Sequence, residues 1–336
     1  MLSSFKSCSL WSLTLVILLA TTVTTLAYTD AEPLGIAMEN YEYPYPVEFF
    51  PLEIEGRDVR MAYMDVPPMD SPNGKTVLLM HGKNFFGAYW AQTIDTLAAA
   101  GYRVIVPDQV GFGKSSKPDI HYSFHMLARN TRMLLDTLGV DSAAVVGHSM
   151  GGMLATRFAL MYPEFTTNLV LENPIGLEDY RLKVPYTPLE QAYEGIMGYT
   201  LEGIRNYHKT YYVSWQDEYE TYVRVHWRWT LSGEYPRLAW ASALTFEMVY
   251  TQPVVYEFPN VQVPSLLVIG LEDRTTLGRG TVSPEVLATL GQYPQLGKAT
   301  AEAIPDAKLV ELPQVGHIPH FEATDRWLQE LLAFLD

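Results

Sequence analysis

The sequence predicts a doubly wound α/β protein, a mostly parallel eight-stranded sheet with a helical lid inserted after the sixth strand. Three observations carry this reading. Short apolar runs alternate with helix-patterned stretches along most of the chain, as in βαβ units. The runs are apolar at nearly every position, which suits strands covered on both faces. The alternation breaks once, over residues 173–259, which hold no apolar strand run.

The elements follow in chain order. Lys6, the apolar run Leu10–Ala20 and the small-residue ending Thr25-Leu26-Ala27 have the layout of a secretory signal peptide over residues 1–27. The run is too short to span a bilayer comfortably. Residues 28–47 carry Pro and Tyr without a period and read as an N-terminal arm. Glu48–Ile54 and Asp58–Val66 form a hairpin pair around Glu55-Gly56-Arg57. Further strands are expected at Thr76–Met80, Val104–Val106, Ala143–Val146, Leu169–Leu171, Leu266–Ile269 and Leu309–Leu312. Helices are expected at Tyr89–Ala100, Phe124–Leu138, Met150–Met161 and Phe321–Leu335. The core thus comprises residues 48–172 and 260–336, and the lid residues 173–259. The lid carries 12 of the 22 tyrosines and four of the seven tryptophans, so it should wall a small-molecule pocket. That pocket belongs at the C-terminal edge of the sheet, where open α/β folds bind ligands.

Composition narrows the function classes. The chain has 336 residues, 48% apolar and 18% charged, which is a globular balance. Its formal charge of -15 argues against a nucleic-acid partner and against docking on anionic lipid. Loss of the leader removes one cation, Lys6, giving 22 against 38 anions, or -16. The single cysteine, Cys8, precludes an intrachain disulfide framework and a Cys-based metal site. The expected product is secreted or periplasmic, without stable membrane association once the leader is removed.

The chemistry centres on Gly147-His148-Ser149-Met150-Gly151-Gly152, between a strand and a helix. A strand turning sharply into a helix strains the middle residue, and flanking glycines relieve the crowding. Ser149 then stands exposed at a helix N-terminus, as a nucleophile. His317, past the last strand, is the expected base. Asp273, past the strand Leu266–Ile269, is the acid that orients it. The order Ser149, Asp273, His317 is the one this architecture requires. Glu272 points elsewhere, Glu172 is a reserve acid, and His320 lies outside the reacting set or is exposed. The Met150 N–H and the Lys83 N–H, in His81-Gly82-Lys83-Asn84, are the expected oxyanion donors. The Lys83 side chain is expected to reach solvent, and His81 to hydrogen-bond structurally. Asn84, Trp90 and His148 are expected to border the substrate, His148 being turned away from Ser149.

These motifs together resemble the α/β-hydrolase superfamily, in the lidded branch shared by esterases, C–C bond hydrolases, perhydrolases, epoxide hydrolases and haloalkane dehalogenases. The likeness covers residues 48–336. It rests on His81-Gly82 with Trp90, on Pro107–Ser115, on the elbow Gly147–Gly152 and on Gly316-His317. Lys83 and Asn84 depart from the Gly- or Pro-containing loop common in the branch. Ser149 replaces the Asp nucleophile of epoxide hydrolases and dehalogenases, which disfavours both activities. The resemblance implies hydrolysis of a small, largely apolar ester through an acyl-enzyme, without metal or organic cofactor. Its alternatives are cleavage of a vinylogous diketone, with Lys83, Arg181 and Arg224 as candidate carboxylate partners, or a ligand-binding receptor on the same scaffold.

Overall fold

A computed structural model describes residues 32–336, and Pro33–Asp336 form one compact unit. The expected leader, with Lys6, Cys8 and the cleavage site at Ala27, lies outside the described residues.

The apolar runs become eight strands of one sheet. They are β1 (Glu48–Ile54), β2 (Arg57–Val66), β3 (Thr76–Met80), β4 (Arg103–Pro107), β5 (Ala143–His148), β6 (Thr166–Glu172), β7 (Ser265–Gly270) and β8 (Ala307–Leu312). Their order is β1-β2-β4-β3-β5-β6-β7-β8. The β1–β2 hairpin closes on Glu55 (φ 50°) and Gly56 (φ 70°), and Ile54 faces Arg57. Two successive left-handed residues match the twist of paired strands. The hairpin joins β4 antiparallel, and every pairing from β4 to β8 is parallel.

Why these strands are apolar at each position is visible in the packing. Leu78, Ile105, Val145, Leu171, Leu267 and Ile269 face one layer, with α2 (Phe124–Thr137) and α3 (Met150–Met161). Val77, Leu79, Val104, Val146, Val170 and Val268 face the other, with α1 (Ala91–Ala99) and α11 (Thr324–Leu335). Successive side chains alternate between faces, so a strand covered on both sides has no polar phase. A single 3₁₀ turn, Gly87–Trp90, precedes α1, where the sequence suggested one continuous helix from Tyr89.

Between β6 and β7 the chain forms α4 (Leu189–Met197), α5 (Leu201–Lys209), α6 (Glu220–Thr230) and α7 (Tyr235–Thr251). The N-terminal arm packs into this insertion: Leu34 and Met38 are buried among Phe86, Val225, Trp229, Tyr235 and Ala239, and Leu34 N–H donates to Arg228 O (3.0 Å). Three further helices lie beyond β7: α8 (Pro284–Leu287), α9 (Tyr293–Ala303) and α10 (Pro319–Glu322). The sequence pattern did not show α9, because Pro294 and Gly297 interrupt it. Gly297 is there for packing, since a Cβ on it would lie 2.9 Å from Ile269 Cγ1. No described helix is long and apolar enough to cross a membrane.

Candidate active site

The strand β5 runs directly into α3, and Ser149 sits at the junction with φ 56° and ψ −121°. A non-glycine residue there is strained, and the surrounding packing holds it. The flanking glycines permit the turn sterically. A Cβ on Gly147 would lie 2.2 Å from Gly151 O, and one on Gly151 would lie 2.2 Å from Met80 O. The Ser149 amide donates to Glu172 O at the end of β6 (3.1 Å), which ties the elbow to the next strand.

Three loops bring the reacting side chains together. Ser149 Oγ lies 2.9 Å from His317 Nε2, and His317 Nδ1 lies 2.7 Å from Asp273 Oδ2. Nδ1–H donates to the carboxylate, so the Nε2 lone pair faces the serine hydroxyl. All three residues are buried, Ser149 keeping 7% exposure through which a substrate can reach it. Asp273 also accepts from the Asn173 amide (2.7 Å, Oδ2) and the Thr275 N–H (2.7 Å, Oδ1). Burial alone would raise its proton affinity. His317, Asn173 and Thr275 outweigh burial and hold the carboxyl below its ordinary range.

Asn173 is the site residue that sequence reasoning missed. It follows β6 with φ 36°, gives one N–H to Asp273, and accepts the Gly270 N–H on its carbonyl oxygen (2.8 Å). Its only sequence signal is its place at the end of an apolar run, at a position where Asn tolerates the left-handed region.

The loop His81-Gly82-Lys83-Asn84 abuts the elbow: a Cβ on Gly82 would lie 3.1 Å from the Ser149 Cβ. The Gly82 N–H is committed to Tyr89 Oη (3.0 Å). Among the described residues, the Met150 and Lys83 amides donate to no protein acceptor. His81 bridges structurally, with Nδ1 2.9 Å from Gly82 O and Nε2 accepting Gln109 N–H at 3.1 Å.

Several expectations need correction. The Lys83 side chain does not reach solvent. Its Nζ is buried and donates to Ser242 O (2.9 Å), Ser242 Oγ (3.1 Å) and Thr245 Oγ1 (3.2 Å) on α7. Burial without an acidic partner lowers its pKa from 10.5 to about 7. Trp90 and His148 do not border the cavity. Trp90 is fully buried and stacks on His320, with ring centroids 4.4 Å apart. His148 is also fully buried; its Nε2–H donates to His317 O (2.8 Å) and its Nδ1 accepts from Tyr89 Oη (3.0 Å). Burial, then the neighbouring His317 and His320, keeps its imidazole neutral, well below its usual pKa. Glu172 does not approach His317 as an acid; it holds the His320 N–H (2.7 Å) and Nδ1 (2.9 Å). Burial raises Glu172 and lowers His320, so this pair shares one proton without separating charge. His320 is buried, while Glu272 is exposed.

A cavity of about 460 Å³ opens over Ser149. Its wall includes Lys83, Asn84, Ile175, Tyr207, Tyr211 and Phe246, so the insertion and the loop after β3 supply much of it. Asn84 lies on this wall, with its Nδ2 donating to Tyr211 Oη (2.7 Å). Arg279 also lines the wall, whereas Arg181 is paired to Asp179 and, with Arg224, lies off it. A larger cleft of about 650 Å³ lies elsewhere, lined by charged residues such as Arg57, Lys114 and Arg237, and its lining includes none of Ser149, Asp273 and His317. Among the described residues, no group of three or more His, Cys, Asp or Glu side chains could hold a metal ion.

A serine, an imidazole and a carboxylate in this relay, on this sheet, define the hydrolase class of the α/β folds. The family model described as α/β hydrolase fold matches residues 75–207. The crystal structure of a probable hydrolytic enzyme from Pseudomonas aeruginosa superposes with a TM-score of 0.89 at 48% identity, covering 91% of this chain and 99% of that one. The chain belongs to the α/β-hydrolase fold family. It is 40% identical over 112 residues to the 2-hydroxy-6-oxo-6-phenylhexa-2,4-dienoate hydrolase of Burkholderia cepacia, a match covering 32% of this chain. It is 38% identical, again over 112 residues and 32% of this chain, to a 2-hydroxy-6-oxononadienedioate/2-hydroxy-6-oxononatrienedioate hydrolase of Comamonas testosteroni. The chain spans 39% of the length of each of these two relatives.

Proposed function

We propose that this protein is a serine hydrolase of small, largely apolar carboxylic esters, acting through an acyl-enzyme. The observation that carries the reading is the unbroken relay from Ser149 Oγ, on the cavity wall, through the buried His317 to Asp273. Ser149 attacks the ester carbonyl as its proton passes to His317 Nε2. Asp273 holds the imidazole by Nδ1–H and stabilises the cation that forms. The oxyanion falls to the Met150 and Lys83 amides, since the Gly82 amide is occupied by Tyr89. The protonated His317 then gives its proton to the leaving alcohol. A water molecule, deprotonated by the same imidazole, releases the acid. Residues 173–259 act as the lid that sets access and selectivity. No metal or organic cofactor takes part.

The test is Ser149→Ala assayed on short p-nitrophenyl esters. Loss of the nucleophile should lower kcat by about 10⁴–10⁶. Activity within tenfold of the unaltered protein would overturn the assignment.

A second reading keeps the relay and changes the substrate to a vinylogous diketone, cleaved at a C–C bond. It is favoured by the two dienoate hydrolases that this chain resembles and by the buried Lys83 ammonium on the cavity wall, which has no acidic partner to compete with a substrate carboxylate. Faster turnover of a ring-fission dienoate than of any simple ester would establish it. We also propose export, on the layout of residues 1–27. A mature protein beginning at Tyr28 in the extracellular or periplasmic fraction is the expected finding.

A further inference from the structure

The insertion between β6 and β7 does more than roof the cavity; it touches His317. Tyr211, just past α5, makes three contacts with the machinery. Its carbonyl oxygen accepts the His317 N–H at 2.7 Å. Its ring stacks on the imidazole, with centroids 5.0 Å apart and planes 27° from parallel. Its hydroxyl accepts the Asn84 amide at 2.7 Å. The approach is close enough that a Cβ on Gly316 would lie 2.4 Å from the Tyr211 carbonyl oxygen. Glu322 adds a second tie, taking the Val213 N–H on one oxygen (2.7 Å) and the Gly316 N–H on the other (2.8 Å). On the opposite side, His148 Nε2–H holds the His317 carbonyl. The peptide of His317 is thus pinned by β5 on one side and by the insertion on the other.

We infer that Tyr211 is a positioning residue for His317, and that its ring stabilises the imidazolium formed as Ser149 loses its proton. The inference rests on the reading of His317 as the base. Asp273 and Ser149 define the imidazole within its own plane, by hydrogen bonds at its two nitrogens. Neither resists tilting out of that plane; a ring stacked on the face does. The π-face of a phenol carries negative potential, and it attracts a cation more strongly than a neutral ring. The imidazole is charged while the tetrahedral intermediate exists, so the contact strengthens where the barrier lies. The Asn84 bond fixes the phenol against the oxyanion loop, which keeps base and oxyanion donors in register. The titratable groups around His317 are Asp273, His148, Glu172, Glu322 and His320; around Tyr211 they are Tyr207, Tyr212, Tyr293 and His208.

The experiment replaces Tyr211 by Phe, by Leu and by pentafluorophenylalanine, and follows p-nitrophenyl acetate hydrolysis against pH beside His317→Ala. The fluorinated ring keeps the shape and reverses the polarity of the face, so it serves even where the Leu variant fails to fold. Phe keeps the stacked face and loses only the Asn84 bond, so it should lower kcat less than Leu does and leave the acid limb of kcat/KM in place. Leu and pentafluorophenylalanine should lower kcat by about tenfold with KM changed less than threefold. In these two the acid limb of kcat/KM should move to lower pH by about half a unit, because a less stabilised imidazolium gives up its proton more readily. A ring that merely walls the cavity would change KM and leave the limb in place, and that result overturns the inference. An inactive His317→Ala with a flat Tyr211 series also rejects it while sparing the base. An active His317→Ala rejects the base, and the inference with it.

Discussion

Lys83 offers a measurement whose size follows from the structure. Its ammonium is buried against three neutral oxygens of Ser242 and Thr245, and burial lowers its pKa from 10.5 to about 7. That drop of about 3.5 pH units, at 1.36 kcal/mol each, makes the charged form roughly 4–5 kcal/mol costlier in the folded chain than in the unfolded one. The sign follows from proton counting. Between about pH 7 and 10.5 the unfolded chain binds a proton at Lys83 that the folded chain does not. Stability therefore rises with pH across that window, and below about 7 the full penalty is present. Lys83→Met removes the titration and keeps the stem. Urea unfolding of both proteins at pH 6.5, 8 and 9.5 isolates the effect, because Lys117, similarly lowered to about 7, is common to both and cancels. The stability of the parent relative to Lys83→Met should rise by about 3 kcal/mol from pH 6.5 to 9.5. A difference constant to within about 0.5 kcal/mol would mean that Lys83 holds its proton throughout, and would refute the reasoning.

Two more outcomes are expected. Asp273→Asn would lose the acceptor that selects the His317 tautomer, and kcat on p-nitrophenyl esters should fall by about 10⁴; because both carboxylate oxygens accept N–H bonds, the new amide NH2 would face a donor and Tm should fall as well. Gly151→Ala would drive a Cβ to 2.2 Å from the Met80 carbonyl oxygen, so backbone must move; a loss of about 3 kcal/mol or more in chemical unfolding is expected, and a Tm within 2 °C of the parent would show that the elbow yields.

What was legible in the sequence is what local chemistry decides. Strands buried on both faces must be apolar throughout, so Thr76–Met80, Ala143–Val146 and Leu266–Ile269 stood out, and the structure extends each by two residues or fewer. The elbow was legible for a similar reason. Gly147 and Gly151 answer contacts made within a few residues or with the adjacent strand, and no side chain fits either position. Helix α9 was hidden because its glycine serves a contact with Ile269, not its own turn. The sequence also marked His81-Gly82-Lys83-Asn84 as a loop beside the serine, but not where its side chains turn.

The tertiary structure alone decided the rest. Whether Lys83 met solvent or Ser242 depended on α7, some 160 residues away in the chain. Asn173 gained its role only when Asp273 and Gly270 came within reach of both ends of its amide. Trp90 and His148 fell to the packed side of the elbow because His320 and the His317 carbonyl are there to receive them. Tyr211 is one of 12 tyrosines in its segment, and nothing local distinguishes it from the others. A side chain's partner across the fold leaves no periodic trace in sequence. Periodicity reports which face of an element is buried, whereas the site depends on which loops that burial brings together.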